Sequence, residues 1–259
     1  MLTNNQENHL DPRNRLDVVL VSPRNPLNIG AAARAMANFG FSRLAVVDAY
    51  APYWREARSA VGAPELLAAA DDTPTLAEAV RHCTLVAGTG TLTYRRPEQT
   101  VIRLPDLAPL VRRELAHGGQ VALVFGPEKH GLTREDLSHC HLLVEIPTGG
   151  QQPSMNLGQA VAVCLYELAA RAFPAEVSTL APQQIEEADA GARLAAAARL
   201  DLLAEVVEQT MIAAGYSPAH MREANRHDLR LLLRRLTLSE RDARRILGLF
   251  RRILWGLKR

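Results

Sequence analysis

The chain has 259 residues, of which 47% are hydrophobic and 22% are charged, and its formal net charge is +2. These values are typical of an ordinary globular protein, and the length suits one large domain or a medium domain with a smaller appendage. No apolar run approaches the ~20 residues that span a bilayer, and the polar start lacks a signal-peptide core. We therefore expect a cytoplasmic protein with no membrane partner.

Three cysteines, Cys83, Cys140 and Cys164, lie far apart and form no C-x-x-C motif. A disulfide scaffold and a zinc site are therefore both unexpected, and we interpret the three as small core or surface residues. Positive charge is concentrated elsewhere: residues 216–259 contain twelve Lys and Arg against four Asp and Glu. This segment suits RNA or DNA. The alternative is a solvated helical tail that pairs with its own glutamates.

Strands and helices alternate over the first two thirds of the chain. Residues 1–15 are polar and without pattern, and we predict a flexible tail. Short apolar runs rich in β-branched residues follow, and the first predicts a strand buried on both faces. The runs lie at residues 16–22, 43–48, 84–88 and 120–126. Helical stretches separate them, at residues 29–40, 73–83 and 104–115.

The first helical stretch has Asn28 as its predicted N-cap and Gly40 as its predicted end. Because short strands alternate with helices, residues 16–172 are predicted to form an α/β domain with a mostly parallel sheet. Two prolines then break the pattern in residues 173–183, the predicted linker. Residues 184–259 have apolar residues at helical spacing and predict a small all-helical domain of three or four helices, with Ser239 capping the last.

Polar residues follow the first predicted strand in an N-x-G-x-x-x-R pattern, formed by Asn28, Gly30 and Arg34. Gly30 would let another backbone come close. Arg34 lies in the first turns of a helix, where free N–H groups and the helix dipole favour an anionic or phosphate partner. The alternative is an ordinary solvated arginine.

Two further polar patterns follow later strands. Gly126, Glu128 and Gly131 form G-x-E-x-x-G, a turn that can hold its carboxylate against ligand hydroxyls or backbone amides, or merely an ordinary turn. The stretch IPTGGQQPSMNL ends a strand and wraps into a helix, and its amides can clamp a flat ring. Ser154 and Asn156 there offer a hydroxyl and an amide, although Ser154 could simply cap the helix.

Several familiar motifs are missing from the sequence. No G-x-G-x-x-G follows the first strand, and GTGTLT lacks the final glycine, which argues against a standard dinucleotide fold. No P-loop occurs, and the context of Ser154 is not a nucleophile elbow.

Three stretches in order, NPLNIGAAARAMANFG, LVFGPEKHGL and IPTGGQQPSMNLGQAVAVCLYEL, resemble the motifs of the SPOUT class of RNA methyltransferases. The resemblance covers residues 16–170 and is closest to the TrmJ-like members of the 2′-O-ribose branch, which add a helical C-terminal extension. It implies a deep trefoil knot, an exception to the rule that chains do not thread loops. It also implies bound S-adenosyl-L-methionine, a homodimer with the first motif near the interface, and no metal.

The family pattern also implies which residues bind the cofactor. They are Thr89, Gly90, Thr91, Gly126, Ile146, Pro153, Ser154, Met155 and Leu157. Two residues, Met155 and Gly158, depart from the version of the third motif that is most familiar, and we expect both to alter the pocket lining slightly.

The implied reaction moves a methyl group to a ribose 2′-oxygen. A guanidinium keeps its proton in proteins, so we assign Arg34 to orienting the phosphate and stabilising charge on that oxygen, and not to removing its proton. Asn28, Glu128, Ser154 and Asn156 would position the ribose and hold the motifs together.

The basic segment contains four arginines at four-residue spacing, which on a helix would form a slowly drifting stripe able to follow phosphates. They are Arg222, Arg226, Arg230 and Arg234. The resemblance implies tRNA as partner and nucleotide 32 of the anticodon loop as target, with another tRNA or rRNA site as the alternative. We expect removal of residues 176–259 to weaken tRNA binding without unfolding the knot; a dimer-stabilising role for these helices is the main competitor.

Two other classes of function stay open at this point. One is a non-catalytic RNA-binding dimer that keeps the knot, and the other is a small-molecule enzyme with a nucleotide cofactor. The three ordered motifs argue against the first, and the basic C-terminal segment argues against the second.

Overall fold

The computed structural model describes residues 11–50, 53–91, 97–149, 151–173, 194–218 and 221–258. Within them one seven-stranded sheet has the order β3-β2-β1-β6-β4-β7-β5, and every strand pair is parallel. The strands are β1 (Leu16–Val21), β2 (Arg43–Val47), β3 (Asp71–Thr73), β4 (Leu85–Thr89), β5 (Thr100–Arg103), β6 (Val121–Phe125) and β7 (Leu142–Glu145). The predicted α/β fold with a parallel sheet is confirmed.

The described helices fall into two groups. Six accompany the sheet: α1 (Pro26–Phe39), α2 (Pro64–Ala68), α3 (Leu76–Ala79), α4 (Leu107–Ala116), α5 (Arg134–Ser138) and α6 (Leu157–Arg171). Three follow it: α7 (Ala197–Ala213), α8 (Arg222–Arg235) and α9 (Glu240–Leu257). In the part of the chain that the structure describes, no helix is long and apolar enough to cross a membrane.

The two faces of the sheet carry separate cores because side chains alternate along each strand. All six residues of β1 are buried, as predicted for a strand covered on both sides. Val18 and Leu20 belong to the core under α1, α4 and α6, whereas Val19 and Val21 face α3 and α5. The cysteines are buried and free, Cys164 in the first core and the other two in the second.

Three local predictions differ from the structure in whole or in part. Asn28 does not cap α1; Asn25 does, with its Oδ1 accepting from the Leu27 amide at 2.9 Å, because Pro26 fixes the first helical residue. Gly40 does end this helix, at φ 77°. The helix predicted within residues 73–83 is present as α3 and Thr75 caps it, but it is shorter than predicted and Thr73 belongs to β3. Residues 12–15, predicted to be part of a flexible tail, form a 3-10 turn capped by Asp11.

The C-terminal helices dock against the sheet side that carries α3 and α5. The amides of Ala197 and Ala198 donate to the carbonyls of Cys83 and Arg81 at 2.7 and 3.0 Å. α7 packs on α8 and α9, and Ser239 caps α9 as predicted. Of the predicted linker 173–183 only Phe173 is described, and it is buried in the core; residues 1–10 and 174–193 lie outside the described residues.

Candidate active site

The loops after β4, β6 and β7 meet at one edge of the sheet, because these three strands are neighbours in the order β6-β4-β7. Together they enclose a cavity of about 500 Å³. The structure brings all nine residues predicted to bind the cofactor to its wall: Thr89, Gly90, Thr91, Gly126, Ile146, Pro153, Ser154, Met155 and Leu157. Their binding role stays a prediction.

The loop after β4 is fixed to both neighbouring strands. The Thr89 hydroxyl donates to the Val124 carbonyl at 3.0 Å, and the Gly90 amide donates to the Val144 carbonyl at 3.1 Å. The cavity wall at this point therefore consists of small residues held rigidly at the end of a central strand.

The turn after β6 folds back on itself so tightly that a side chain at its start has no room. A Cβ on Gly126 would lie 2.2 Å from the Leu132 nitrogen and 2.3 Å from the Gly131 carbonyl carbon. The Gly131 amide closes the turn by donating to the Pro127 carbonyl at 2.8 Å. Glycine at position 126 is thus a packing requirement of the turn that carries Glu128.

The third loop ends in α6, whose N-cap is Asn156 and not Ser154. The Asn156 Oδ1 accepts from the amides of Gly158 and Gln159 at 3.0 and 3.3 Å. Ser154 is exposed and lines the cavity, so its alternative role as a cap is wrong. Gly158 does not line the cavity: a Cβ there would lie 2.7 Å from the Ala31 Cβ, so it serves the packing of α6 on α1.

A chain of hydrogen bonds joins the three motifs. The Asn28 Nδ2 donates to Glu128 Oε1 at 2.7 Å, and the Asn156 Nδ2 donates to Asn28 Oδ1 at 2.9 Å. Glu128 also accepts from the backbone amides of Arg24 and Asn25 at 3.1 and 3.2 Å. Partial burial raises the pKa of the Glu128 carboxyl, but these donors lower it more, and it lies below the ordinary value. The carboxylate therefore stays charged near neutral pH and accepts three hydrogen bonds within the protein.

The N-x-G-x-x-x-R pattern contributes Asn28 to this chain of hydrogen bonds, but it does not bring Arg34 to the cavity. Gly30 makes the expected close approach, since a Cβ there would lie 2.8 Å from the Ala60 nitrogen. Arg34 itself is exposed and does not line the cavity. Among the described residues it has no hydrogen-bond or ion-pair partner.

The expected stripe of four arginines on α8 is accessible only in part, since Arg222 and Arg226 alone of the four are exposed. Arg234 has no exposed surface and pairs with Asp201 at 2.8 Å. Arg230 pairs with Glu135 of α5, and Arg226 pairs with Glu208 of α7 at 3.0 Å. The slow drift of four-residue spacing turns successive arginines towards different neighbours, and Arg222 is left at the exposed start of the helix.

Sequence reasoning missed two features. The cavity wall also includes Lys129 and His130, which lie within the second motif between Glu128 and Gly131. At the opposite end of the strands, ligand atoms of Asp17, His82 and Cys83 lie within 4.8 Å of one another. Asp17 there already pairs with Arg43 and with His82 at 2.6 Å. Burial, then the Asp17 charge, raises the pKa of the Cys83 thiol well above its ordinary value.

Comparisons with known proteins agree with this geometry. A tRNA (cytidine/uridine/adenosine-2′-O-)-methyltransferase TrmJ of Pseudomonas aeruginosa is 35% identical over 80% of this chain and 82% of its own length. TrmJ of Yersinia pestis is 28% identical over 93% of this chain and 91% of its own length.

The crystal structure of TrmJ from Z. mobilis superposes with a TM-score of 0.76 at 27% identity, covering 94% of this chain and 99% of the other. Residues 15–166 match the SpoU rRNA Methylase family, a span that contains the whole cavity wall and the bonded chain from Glu128 to Asn156. The chain therefore belongs to the SpoU rRNA Methylase family.

Proposed function

We propose that this chain transfers a methyl group from S-adenosyl-L-methionine to the 2′-oxygen of a ribose in tRNA. The observation that carries the proposal is one cavity bounded by the loop after β4 and by the second and third motifs, with the first motif hydrogen-bonded to its wall through Glu128. The chain is also similar to named tRNA 2′-O-methyltransferases over most of its length. The target we propose is nucleotide 32 of the anticodon loop, with another tRNA or rRNA site as the alternative.

The residues present fit the cofactor. A cavity of about 500 Å³ lies within the range of small-molecule sites. Its wall combines hydroxyls of Thr89, Thr91 and Ser154 with the apolar side chains of Ile146 and Leu157. Such a lining suits a ligand that has a flat ring, sugar hydroxyls and an amino-acid end. The proposal includes a deep trefoil knot around this cavity, supported by the family match.

The cofactor supplies an activated methyl group on a sulfonium. What the chain must supply is help for a 2′-hydroxyl that is a poor acid. A guanidinium keeps its proton, so Arg34 would hold the adjoining phosphate and stabilise the negative charge that grows on the oxygen. Ser154, exposed at the cavity wall, would position the ribose.

Glu128 is a positioning residue in this scheme and not the base. Its carboxylate already accepts three hydrogen bonds and its pKa is lowered, both of which make it a weak proton acceptor. Through Asn28 and Asn156 it fixes the first and third motifs to the second. The ribose would therefore meet a preassembled surface.

We propose that the protein acts as a homodimer through the exposed faces of α1 and α6. These helices pack side by side, and large apolar side chains on them are exposed: Leu27 by 55% and Tyr166 by 61%. Leu27 and Arg34 are seven residues apart and so share one helix face. An Arg34 that does not line its own cavity would then serve the cavity of the partner subunit.

The C-terminal helices form a tRNA-binding domain in this proposal, and α9 carries its phosphate-binding face. Arg241, Arg245 and Arg251 are exposed there. No ion pair is formed by these three within the described residues, in contrast to Arg226, Arg230 and Arg234 of α8. Exposed cations without partners are those that a polyanion can recruit.

The test measures methyl transfer from labelled cofactor to tRNA and maps the modified ribose. Arg34→Ala should lower turnover at least 100-fold, because a charge-stabilising group is lost, while calorimetry finds cofactor affinity unchanged. Arg112→Ala, at an exposed position of α4, is the matched control and should keep full activity.

The alternatives predict other results. Cofactor binding without transfer to any tRNA or rRNA would favour the non-catalytic RNA-binding dimer. Binding of NAD in place of S-adenosyl-L-methionine would favour the small-molecule enzyme. An unimpaired Arg34→Ala variant would remove the assigned role of that residue.

A further inference from the structure

The edge of the sheet beside the cavity carries an exposed cation–aromatic pair that the scheme above does not use. Arg24 follows β1 and Tyr50 follows β2, and the Arg24 guanidinium carbon lies 5.9 Å from the centre of the Tyr50 ring. The tyrosine is 77% exposed, so the fold gains little from burying it. Arg24 is exposed as well.

Hydrogen bonds donated by their backbone amides hold both residues beside the cavity. The Tyr50 amide donates to the Pro23 carbonyl at 3.4 Å, which joins the two loops. The Arg24 amide donates to Glu128 Oε2 at 3.1 Å, and Glu128 lines the cavity. The pair is therefore attached to the site by the same carboxylate that joins the motifs.

The two loops also leave their strands through unusual backbone. Ser22 and Asp48, which directly follow β1 and β2, have φ of 43° and 47°, although neither is glycine. Their side chains contact each other, with the Ser22 hydroxyl donating to Asp48 Oδ2 at 3.2 Å. Left-handed backbone is uncommon for serine, although aspartate adopts it more often, and residues in this conformation are concentrated at functional sites.

We infer that Tyr50 stacks on an unpaired base of the substrate RNA next to the target ribose, with Arg24 contacting the phosphate beside that base. Single-stranded RNA is recognised by stacking of splayed bases on aromatic rings and guanidinium planes. One face of Tyr50 carries the Arg24 cation, and the exposed ring surface is available to a base. This inference rests on the proposed function, since it names the part of the RNA that the site holds.

The test compares three variants in tRNA methylation and in tRNA binding. Tyr50→Ala should raise the KM for tRNA about 10-fold because one stacked base is lost, with cofactor affinity unchanged. Tyr50→Phe keeps the ring and should stay within about twofold of the unmodified protein. Arg24→Gln should lower the slope of log affinity against log salt by about 1, as expected for one phosphate contact.

Tyr53→Ala is the control, because Tyr53 is 74% exposed but has no cation over its ring among the described residues. Equal KM values for Tyr50→Ala and the unmodified protein, or an equal loss in Tyr53→Ala, would overturn the inference. A second readout does not need turnover: an anticodon stem-loop with 2-aminopurine beside the target should be quenched by the unmodified protein and by Tyr50→Phe, but not by Tyr50→Ala. If no RNA is methylated, the proposed function fails, and this fluorescence result still decides the stacking role.

Discussion

Glu128 holds the loop between β1 and α1 by means of its charge. A carboxyl whose pKa is lower in the folded than in the unfolded protein adds stability above its unfolded pKa of about 4.3. That stability is lost as pH falls through the pKa of the folded protein. Burial raises this pKa, but hydrogen bonds from Asn28 and from backbone amides lower it more, so that it lies below the ordinary value. The contribution is therefore complete at neutral pH and disappears in acid.

Glu128→Gln should destabilise the protein by about 1 kcal/mol at pH 7. The NH2 group of the glutamine would face the Arg24 backbone N–H, which donates to Glu128 Oε2 in the unmodified protein, and two donors cannot pair. Turnover should fall as the first motif loosens. Urea unfolding at pH 7 and at pH 3.5 is the measurement, and the gap between the two proteins should narrow in acid, where the carboxyl of the unmodified protein takes up a proton. Glu65→Gln, at an exposed position, is the control. A gap that stays constant with pH would contradict this account.

The wall of the cavity could be predicted at the level of residues, whereas the partners of its side chains could not. Gly126 and Ser154 belong to local motifs whose spacing is visible in one stretch of chain. The bond between Asn28 and Glu128 spans 100 positions, and no local pattern encodes it. Asn28 looked like a cap because amide side chains favour that place, but Pro26 two residues earlier already starts the helix.

At the scale of elements, the strands that were predicted are those that lie inside the sheet. β3 and β5 were missed, and both are edge strands, with the sequences DDT and TVIR. An edge strand is covered by fewer neighbours and needs no continuous apolar run. A continuous hydrophobic run in the sequence therefore indicates a buried segment more directly than it indicates a strand. The spacing of the arginines on α8 is limited in the same way as a predictor. It fixes the angle of each side chain around the helix, but it does not show which neighbouring residue each side chain contacts.

The pair between Asp201 of α7 and Arg234 of α8 makes a sharp test of how these helices are joined. Arg234 is fully buried, and its Nε and Nη1 have no hydrogen-bond partner among the described residues. Burial, then the Arg234 charge, lowers the pKa of nearby His139 to about 4, so that imidazole is neutral at pH 7. Asp201 is thus the counter-ion on which the buried cation depends.

Asp201→Asn should cost about 3 kcal/mol, because a buried guanidinium loses its compensating charge. The double variant Asp201→Leu with Arg234→Met should recover most of that loss, since apolar residues can replace a buried pair. Glu135→Gln removes the exposed partner of Arg230 and should cost under about 1 kcal/mol. Urea unfolding of the full chain measures all three, and equal losses for Asp201→Asn and Glu135→Gln would contradict the role given to burial.

At the scale of the whole molecule, the excess positive charge of residues 216–259 is not spread evenly over the surface. Most arginines of α8 form ion pairs that join this helix to α5 and α7, whereas the arginines of α9 are exposed to solvent. Deleting residues 176–259 would also remove Ala197, which is buried in the core of the sheet and whose amide donates a hydrogen bond to the Cys83 carbonyl. Truncation therefore mixes a loss of stability with a loss of charge, and substitution on α9 separates the two.

Arg241, Arg245 and Arg251 changed together to Gln should leave the fold and cofactor binding unchanged, since all three are exposed. If these arginines contact phosphates, each releases counterions on binding, and the slope of log affinity for tRNA against log salt should become shallower by up to about 2.7. Filter binding from low to moderate salt gives this slope. Arg103, Arg112 and Arg113 changed to Gln remove the same charge from another exposed region and should shift it far less. Equal shifts in the two triple variants would mean that net charge alone, and not the face of α9, attracts the RNA.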